Sequence, residues 1–496
     1  MINIIFNGFY RDIMDKVLVE VCRNISIDYI DVVYCDKIIE NLPVKEAQFV
    51  EYRSLLQLEK SLGDPNDLIP LDEELITKMA NCERMVLKMM DRMEVDRRYS
   101  YRERQKMYYF YLRYWNTIIE THRVNLFVSS NVPHEIFDYV IYELCKLKKI
   151  PTIFLFHQSQ IEDMGIIMHD WRDNCLKLKS RFIELKKQFK NKSEAEINLS
   201  DKLQRHFDAQ ISDSEDAVPF YMKSDWRIRF KFITDQIKFI HNLYLKGPKV
   251  FLFYFKKINW GSLVSYNWKQ LAIGRNVTNI YHNFYYRRHS VYPDLDKKYI
   301  YVPLHYQPEL TTSPLADVFV DQRLIVQMLS KYLPDNMYLY VKEHPIQNSF
   351  CRSIEFYKDI LQTKNVVLVR KDSDSFDLIK HCVAVATSTG TPGWEALFRG
   401  IPVLMFGSYI YQFADGVYKI KTNSDCQQAL DQILNHRVSP SLKSIKLYLK
   451  ALGEVSISAV IDPNYLRVSK LSKKENIRNI SEALIQEINQ TIKARR

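Results

Sequence analysis

The sequence lacks any hydrophobic run long enough to cross a membrane. No apolar stretch in its 496 residues reaches the ~18 residues that a spanning helix needs. The apolar start Met1–Phe6 has no basic region of the kind that opens a signal peptide. The eight cysteines are scattered without a CxxC pair, which favours reduced core thiols over disulfides or a zinc site. We therefore expect a cytoplasmic protein.

The chain also lacks short-period repeats and the composition of a disordered protein. Hydrophobic residues make up 47% of it and charged residues 26%, which is typical of a folded globular protein. Its length exceeds what one hydrophobic core usually spans and predicts two domains.

Positive charge is concentrated in one stretch. Residues 219–298 hold 15 Lys and Arg against 4 Asp, which accounts for the whole net charge of +11. An apolar stripe at helical spacing runs through it at Trp226, Phe230, Ile233, Ile237, Ile240 and Tyr244. A basic, aromatic, amphipathic helix favours an anionic surface, so we expect residues 219–257 to hold the protein against the inner face of the cytoplasmic membrane. A buried helix with solvated cations fits equally well, whereas nucleic acid fits less well because no nucleic-acid module accompanies the charge.

Strand and helix patterns alternate along the chain, which predicts an α/β protein with two doubly wound Rossmann-like domains. We place a first domain at 1–297, a second domain at 298–436 and C-terminal helices at 437–496, the last of which we expect to pack back on the first domain. The patterns predict two long helices over 65–122, the second capped by Ser100 and Glu103, a charged helix over 166–190, an exposed polar excursion over 191–218 and a helix over 317–332.

The stretch Val383–Phe406 predicts a strand, a hydroxyl-rich turn, a helix and a further strand. Thr391 and Pro392 form the expected cap and first turn of that helix. Backbone N–H groups and the helix dipole make such a turn a site for an anion. An ordinary turn without a ligand is the alternative.

Three loops of the second domain each follow a predicted strand, so they meet at the carboxyl edge of its sheet, where open α/β sheets bind ligands. The polar residues that they contribute are His305, Gln307 and Glu309, then Lys342, Glu343 and His344, then Thr387, Ser388, Thr389 and Thr391. Cations, imidazoles and hydroxyls of this kind suit a phosphorylated ligand. Glu395, one turn into the following helix, is placed to accept hydrogen bonds from ribose hydroxyls.

These residues resemble those of a known family. The segments PLHYQPE (Pro303–Glu309), VKEHP (Val341–Pro345) and STGTPGWEALFRGIPVLMFG (Ser388–Gly407) resemble bacterial capsule and surface-polysaccharide glycosyltransferases, including the Kdo transferases that use CMP-Kdo. More remotely they are similar to bacterial sialyltransferases. The match covers about 299–415, and the first domain matches in outline through NVPHE (Asn131–Glu135).

The resemblance implies a GT-B fold in which the C-terminal domain holds a nucleotide sugar and the N-terminal domain holds the acceptor. His344 would contact the donor phosphate and assist departure of the nucleotide, with Lys342, Glu343, Pro345, His305 and Gln307 around it. Ser388, Thr389, Gly390 and Thr391 would bind phosphate, and Glu395 the ribose. No metal or other cofactor is then expected, and Asp372-x-Asp374 is better explained as a helix cap.

The acceptor side offers several candidate catalytic groups. Glu162 and Asp163 resemble the acidic-acidic-glycine motif of sialyltransferases, except that one residue intervenes before the glycine. A solvated acidic turn explains them as well. His134 and His157 follow predicted strands and are alternative general bases.

The combined expectation is a metal-independent glycosyltransferase that moves a sugar, in particular from a CMP-activated donor, to a surface polysaccharide or lipid-linked glycan. A UDP-sugar 2-epimerase of the same fold is one alternative. A non-catalytic, membrane-associated assembly factor is the other.

Overall fold

A computed structural model describes residues 2–10, 13–34, 38–39, 42–57, 65–93, 99–172, 175–212, 272–347, 352–436 and 438–494. The basic segment expected at 219–257 to bind a membrane lies outside the described residues. Among the helices that are described, none combines the length and hydrophobicity needed to cross a bilayer.

The first domain is built on a mainly parallel sheet. Its described strands are β1 (Asn3–Asn7), β2 (Tyr29–Tyr34), β3 (Glu46–Glu51), β4 (Leu126–Ser129), β5 (Thr152–His157) and β6 (Gly165–Met168). Their order is β3-β2-β1-β4-β5-β6, and β6 runs antiparallel to β5. The first residues of the helix predicted over 166–190 form strand β6 instead. Their apolar side chains belong to a strand that pairs with β5 and do not form one face of a helix.

Helices cover both sides of this sheet. Those described are α1 (Met14–Asn24), α2 (Tyr52–Gln57), α3 (Glu73–Lys78), α4 (Ala80–Met93), α5 (Tyr101–Thr121) and α6 (Phe137–Leu147), followed along the chain by α7 (Leu176–Gln188). The next two helices, α8 (Asp201–Ile211) and α9 (Ala272–His289), contact the second domain: Phe207 of α8 packs on Phe398, and the Tyr286 hydroxyl of α9 donates to the carbonyl of Val369. Three helices, α3 to α5, replace the two predicted over 65–122, and the capping box of α5 at Ser100 and Glu103 is confirmed. The exposed excursion predicted over 191–218 is wrong for α8, which buries Leu203 and Phe207.

The second domain has a parallel sheet. Its described elements are strands β7 (Tyr299–Pro303), β8 (Tyr338–Lys342), β9 (Val366–Val369), β10 (Ala384–Thr387), β11 (Val403–Met405) and β12 (Val417–Lys419), and helices α10 (Arg323–Tyr332), α11 (Ile354–Leu361), α12 (Ser375–His381), α13 (Thr391–Phe398) and α14 (Asn423–Leu434). The helix predicted over 317–332 is divided into a 3-10 turn, Asp317–Val320, and α10. Asp374 caps α12 as predicted, since its carboxylate accepts from two backbone amides.

Both sheets have the same doubly wound strand order. In the first domain β1 is flanked by β2 and β4, and in the second β7 is flanked by β8 and β10. The order therefore reverses between β1 and β4 and between β7 and β10. Crevices at such switch points, at the carboxyl ends of the strands, are the usual ligand sites of this fold. The predicted fold class is confirmed.

The C-terminal helices α15 (Leu442–Val455) and α16 (Lys473–Lys493) connect the two domains. Helix α15 packs on α7 and α13, and α16 packs on α1. Buried Ile480, Leu484 and Ile488 of α16 join the apolar cluster beneath the first sheet. Two Rossmann-like domains joined in this way form the GT-B arrangement.

Candidate active site

His305 connects two loops at the switch point of the second sheet. Its Nε2 lies 3.1 Å from the backbone N of Thr389, which donates to it, and 3.3 Å from Oγ1 of Thr387. Burial lowers the pKa of His305 to about 3, so the ring is neutral and Nε2 can act as an acceptor. His305 thus fixes the loop after β7 to the turn after β10.

The hydroxyl-rich turn before α13 is closely packed. The helix cap is Gly390 rather than Thr391, which is the first residue of the helix. Oγ1 of Thr387 accepts from the N–H of Gly390 at 3.0 Å, which replaces the cap that Thr391 was expected to supply. A side chain at Gly390 would bring its Cβ to 2.9 Å from Thr387 Oγ1 and 3.0 Å from the His305 ring, so only glycine fits here.

The hydroxyls of this turn differ in their bonding. Oγ1 of Thr389 donates to the carbonyl of Thr311 at 2.9 Å. The buried Oγ of Ser388 has no hydrogen-bond partner among the residues that the structure describes. Ser388 is therefore a turn hydroxyl available to a ligand.

His344 follows β8, the strand next to β7. Its backbone N donates to the Glu343 carboxylate at 2.7 Å, and its ring lies 5.7 Å from that of Tyr306. Its Nδ1 is buried and unpartnered within the described part of the chain. Burial, aided by nearby Arg352 and Lys371, lowers the pKa of His344 to about 4. The imidazole is neutral at pH 7 and keeps one N–H for a ligand.

Glu343, which was expected to bind the donor, points into the core. Its Oε2 lies 3.0 Å from Nε of Arg352 and accepts from the Tyr357 hydroxyl at 2.6 Å. Both charged side chains are fully buried. Because Arg352 also donates to the carbonyl of His305, this ion pair joins the loops of His305 and His344.

Gln307 and Pro345 also lie in these loops. The backbone N of Gln307 donates to the side chain of Gln347 at 2.8 Å, and its own amide donates to the carbonyl of Val320. Pro345 is exposed in the loop that His344 begins. Gln307 therefore stabilises the loop of the site through hydrogen bonds inside the protein.

Cations surround His344. Burial lowers the pKa of Lys342 to about 8, against the opposing effect of Asp374, and its Nζ donates to Ser375 Oγ at 2.8 Å. Lys371 follows β9, and burial lowers its pKa as well. Burial raises the pKa of Glu395 on α13 to about 7. Lys371 and Arg352 were absent from the sequence-based candidates, although the rule that found Lys342 also applies to the loop after β9.

A cleft of about 640 Å³ opens at the switch point of the first sheet. Its described lining comes from the loops after β1, β4 and β5, from Glu309–Leu315 and Tyr409 of the second domain, and from the segment Ile461–Arg467 that precedes α16. Thr311 belongs to this lining, so the turn of Thr389 lies directly behind the cleft. The two switch points therefore adjoin.

Both acceptor-side histidines line the cleft. His157 packs against Tyr465 with 4.3 Å between ring centroids, and neither ring nitrogen has a partner in the described structure. Burial lowers its pKa to about 4, so it is a neutral acceptor. Nδ1 of His134 lies 2.6 Å from the carbonyl of Val132, and its backbone N donates to buried Asp138.

Glu162 and Asp163 lie outside the described lining of the cleft. The Asp163 carboxylate accepts from Oγ of Ser469 at 2.6 Å and from the backbone N of Lys470 at 3.2 Å. Glu162 forms an exposed ion pair with Lys470 at 3.3 Å. Both acidic residues hold the chain that leads into α16.

Replacement of Asp163 by Asn is therefore expected to affect stability and not turnover. Loss of hydrogen bonds to a charged acceptor should lower the free energy of unfolding by about 1.5–3 kcal/mol, and kcat should stay within about twofold. The control Glu162→Gln removes an exposed pair worth at most ~1 kcal/mol. Thermal unfolding and donor turnover measure both effects, and a large drop in kcat for Asp163→Asn at unchanged substrate binding would restore the catalytic assignment.

Residues 316–438 match a family described as "Capsule polysaccharide biosynthesis protein". The resemblance predicted from the sequence is thereby confirmed over this part of the second domain. No curated protein matches the chain.

Several solved structures are similar. Two are KpsC β-Kdo transferases of Thermosulfurimonas dismutans. The 2,7 enzyme has 20% identity and a TM-score of 0.26 over 41% of this chain, and the chain spans 60% of its length. The 2,4 enzyme has 10% identity and a TM-score of 0.28, with 66% and 79% of the two chains covered. A UDP complex of MnaA from S. aureus has 12% identity and a TM-score of 0.27, with 99% and 96% covered. With scores this low, the fold assignment rests on the strand order of the two sheets.

Proposed function

We propose that the chain is a metal-independent glycosyltransferase that transfers a sugar from a nucleotide donor to a surface polysaccharide or lipid-linked glycan. The donor in this proposal is CMP-activated, such as CMP-Kdo. One observation carries it: His305, His344 and the turn before α13 meet at the switch point of the second sheet. The family match over 316–438 supports the same role.

The donor-side residues suit a leaving nucleoside phosphate, which gains negative charge in the transition state. Neutral His344 supplies an N–H, Ser388 supplies a hydroxyl, and Thr391 supplies the backbone N–H at the start of α13. Lys342 and Lys371 supply positive charge nearby. Donors fixed in a dry pocket before the reaction stabilise such charge better than water does. With a pKa of about 4, His344 acts as a hydrogen-bond donor and not as a proton donor.

On the acceptor side we assign the general base to the cleft. Both candidates, His134 and His157, line the cavity, and the burial that lowers the pKa of His157 to about 4 makes this histidine a weak base at neutral pH. A base must lie within hydrogen-bond reach of the hydroxyl that it deprotonates. The proposal includes peripheral attachment of residues 219–257 to the inner face of the cytoplasmic membrane, where lipid-linked acceptors reside, and no nucleic-acid partner.

The first test is a thermal-shift panel of CMP, UDP, GDP and CDP with the purified full chain. A nucleotide that binds the native state should raise the melting temperature, by the equivalent of about 2.7 kcal/mol at 100 times its Kd. We expect CMP to give the largest shift in melting temperature. We also expect the protein to hydrolyse CMP-Kdo slowly.

Isotope-exchange and turnover assays on the same purified protein separate the alternatives. Deuterium exchange at C2 of a UDP sugar without an acceptor would indicate an epimerase instead. Nucleotide binding without turnover of any nucleotide sugar would indicate an assembly factor. A chain that binds none of the four nucleotides would contradict the proposal.

The pKa of Lys342 predicts a pH dependence for donor capture. Because burial lowers this pKa to about 8, the ammonium is present below pH 8 and is lost above it. Loss of a charged hydrogen bond to phosphate should reduce kcat/KM for the donor by about tenfold or more. In kcat the transition should move to higher pH, because bound phosphate favours the protonated lysine.

Steady-state kinetics between pH 6 and about 10 check this prediction. Lys342→Met should lower kcat/KM and remove the alkaline transition, while the control Lys364→Met, which removes an exposed partner of Asp335, should keep it. A transition that persists in Lys342→Met would assign it to another group.

A further inference from the structure

The interdomain cleft has an aromatic wall. Phe156 and Tyr409 pack edge to face with 5.6 Å between ring centroids, and Tyr465 packs against His157 at 4.3 Å. All four residues line the cavity. Aromatic surfaces of this kind pack against the C–H faces of a ligand while polar groups around them fix its orientation.

A second feature of the cleft is an unsatisfied buried amide. Asn7 lines the cavity and is only 5% exposed, and its Oδ1 has no hydrogen-bond partner in the described residues. Its Nδ2 lies 3.3 Å from Oγ of Ser129 and 3.5 Å from Asp138, which is also buried and lines the cavity. A buried amide oxygen left without a donor is costly. A ligand hydroxyl at this position would satisfy it.

The third feature is the sign of the charge. The described lining holds the carboxylates Glu135, Glu309 and Asp462 against the single guanidinium of Arg467. Burial raises the pKa of Asp138 to about 7, so this carboxyl adds only part of a negative charge at neutral pH. His157 is neutral because of its burial. The cations that surround His344 are absent from this described lining. The donor side is therefore cationic and the cleft is anionic.

From these three features we infer that the cleft is the acceptor subsite and that it takes an uncharged, hydroxyl-rich sugar in preference to a carboxylated or phosphorylated one. The carboxylates and Asn7 accept hydrogen bonds from sugar hydroxyls, and the aromatic wall contacts the ring. The same carboxylates repel an anionic sugar, because like charges brought together in a partly desolvated site are costly. The assignment as an acceptor subsite rests on the proposed glycosyltransferase function.

The test uses two probes that differ in one group: methyl galactoside and methyl galacturonide, with the gluco pair alongside. Saturation-transfer NMR on the full chain measures their Kd values. We expect the uncharged glycoside of at least one pair to bind about tenfold more tightly than its uronide. The variant Glu309→Gln/Asp462→Asn should reduce this preference, because the Kd of the uronide should approach that of the glycoside. The control Glu74→Gln/Asp335→Asn removes two exposed carboxylates from other surfaces and should leave it unchanged.

Equal or tighter binding of the uronides would overturn the inference, as would failure of both uncharged glycosides to bind. A preference that survives unchanged in Glu309→Gln/Asp462→Asn would also overturn it. Nucleotide binding is measured on the same samples. A chain that binds a nucleotide but prefers uronides would contradict this inference alone, whereas a chain that binds none of the nucleotides would contradict the proposed function.

Discussion

Replacement of His344 by alanine is expected to lower kcat for the nucleotide sugar by about 100- to 1000-fold, the usual cost of removing one fixed donor to developing charge. The reason is the position of the ring beside Lys342, Lys371 and Arg352, with a neutral state that preserves an N–H. The donor KM should change much less, because the leaving phosphate gains its extra charge only in the transition state.

Two further variants isolate the role of the imidazole. His344→Gln keeps an N–H donor and should recover part of kcat. His381→Ala removes an exposed histidine from the same domain and should have no effect. The pKa of His344 is about 4. Any transition near pH 6.5 in the pH profile of kcat should therefore belong to another group and should persist in His344→Ala. A wild-type kcat in His344→Ala, with correct folding and nucleotide binding, would remove His344 from the mechanism.

Replacement of Arg352 by methionine is expected to lower the free energy of unfolding by about 3–5 kcal/mol, because it leaves the buried Glu343 carboxylate without its partner. Arg352 also donates to the carbonyl of His305. The variant should therefore weaken nucleotide binding as well, since His305 positions the turn before α13.

A matched double variant distinguishes charge from packing. Arg352→Met/Glu343→Gln removes both buried charges and should recover a large part of the lost stability. Arg323→Met breaks the half-exposed pairs with Asp321 and Asp359 and should cost at most ~1 kcal/mol. Thermal unfolding measures all three. A small loss in Arg352→Met, similar to that in Arg323→Met, would show that the buried pair does not hold the loops together.

Most of the fold could be predicted from the alternation of strand and helix patterns in the sequence. Short β-branched runs such as Val366–Val369 and Ala384–Thr387 have the pattern of buried parallel strands, and the structure has strands there. From that order alone, the loops of His305, His344 and Ser388 had to meet at one sheet edge. A local pattern was sufficient because, in a parallel sheet, the loops that follow the strands all lie at the same edge.

The direction in which each side chain of a loop points could not be predicted from the sequence in the same way. Glu343 and His344 are neighbours with similar polarity, yet one points into the core and the other into the site. The choice depends on Arg352, which is distant in the sequence and lies on another segment. Helix α8 was missed for a related reason: its polar composition hides Leu203 and Phe207, whose burial is set by packing rather than by local propensity.

The cleft was the least predictable feature. One of its walls is Ile461–Arg467, which returns to the first domain after the second domain is complete. Nothing in the local pattern of this segment indicates that it approaches His157. Such long-range returns of the chain are fixed by the packing of α16 on α1, so the contact of Tyr465 with His157 emerges only from the structure.

Amide hydrogen exchange with and without CMP tests the central claim most directly. We predict that saturating CMP slows exchange in the segments 343–347 and 387–395, which hold His344 and the turn before α13, and leaves α14 unchanged. The same segments should lose their protection in His344→Ala only in part, because the hydroxyl of Ser388 and the backbone N–H of Thr391 remain. Protection confined to the first domain, or no protection by CMP, UDP, GDP or CDP, would contradict a nucleotide site at the switch point of the second sheet.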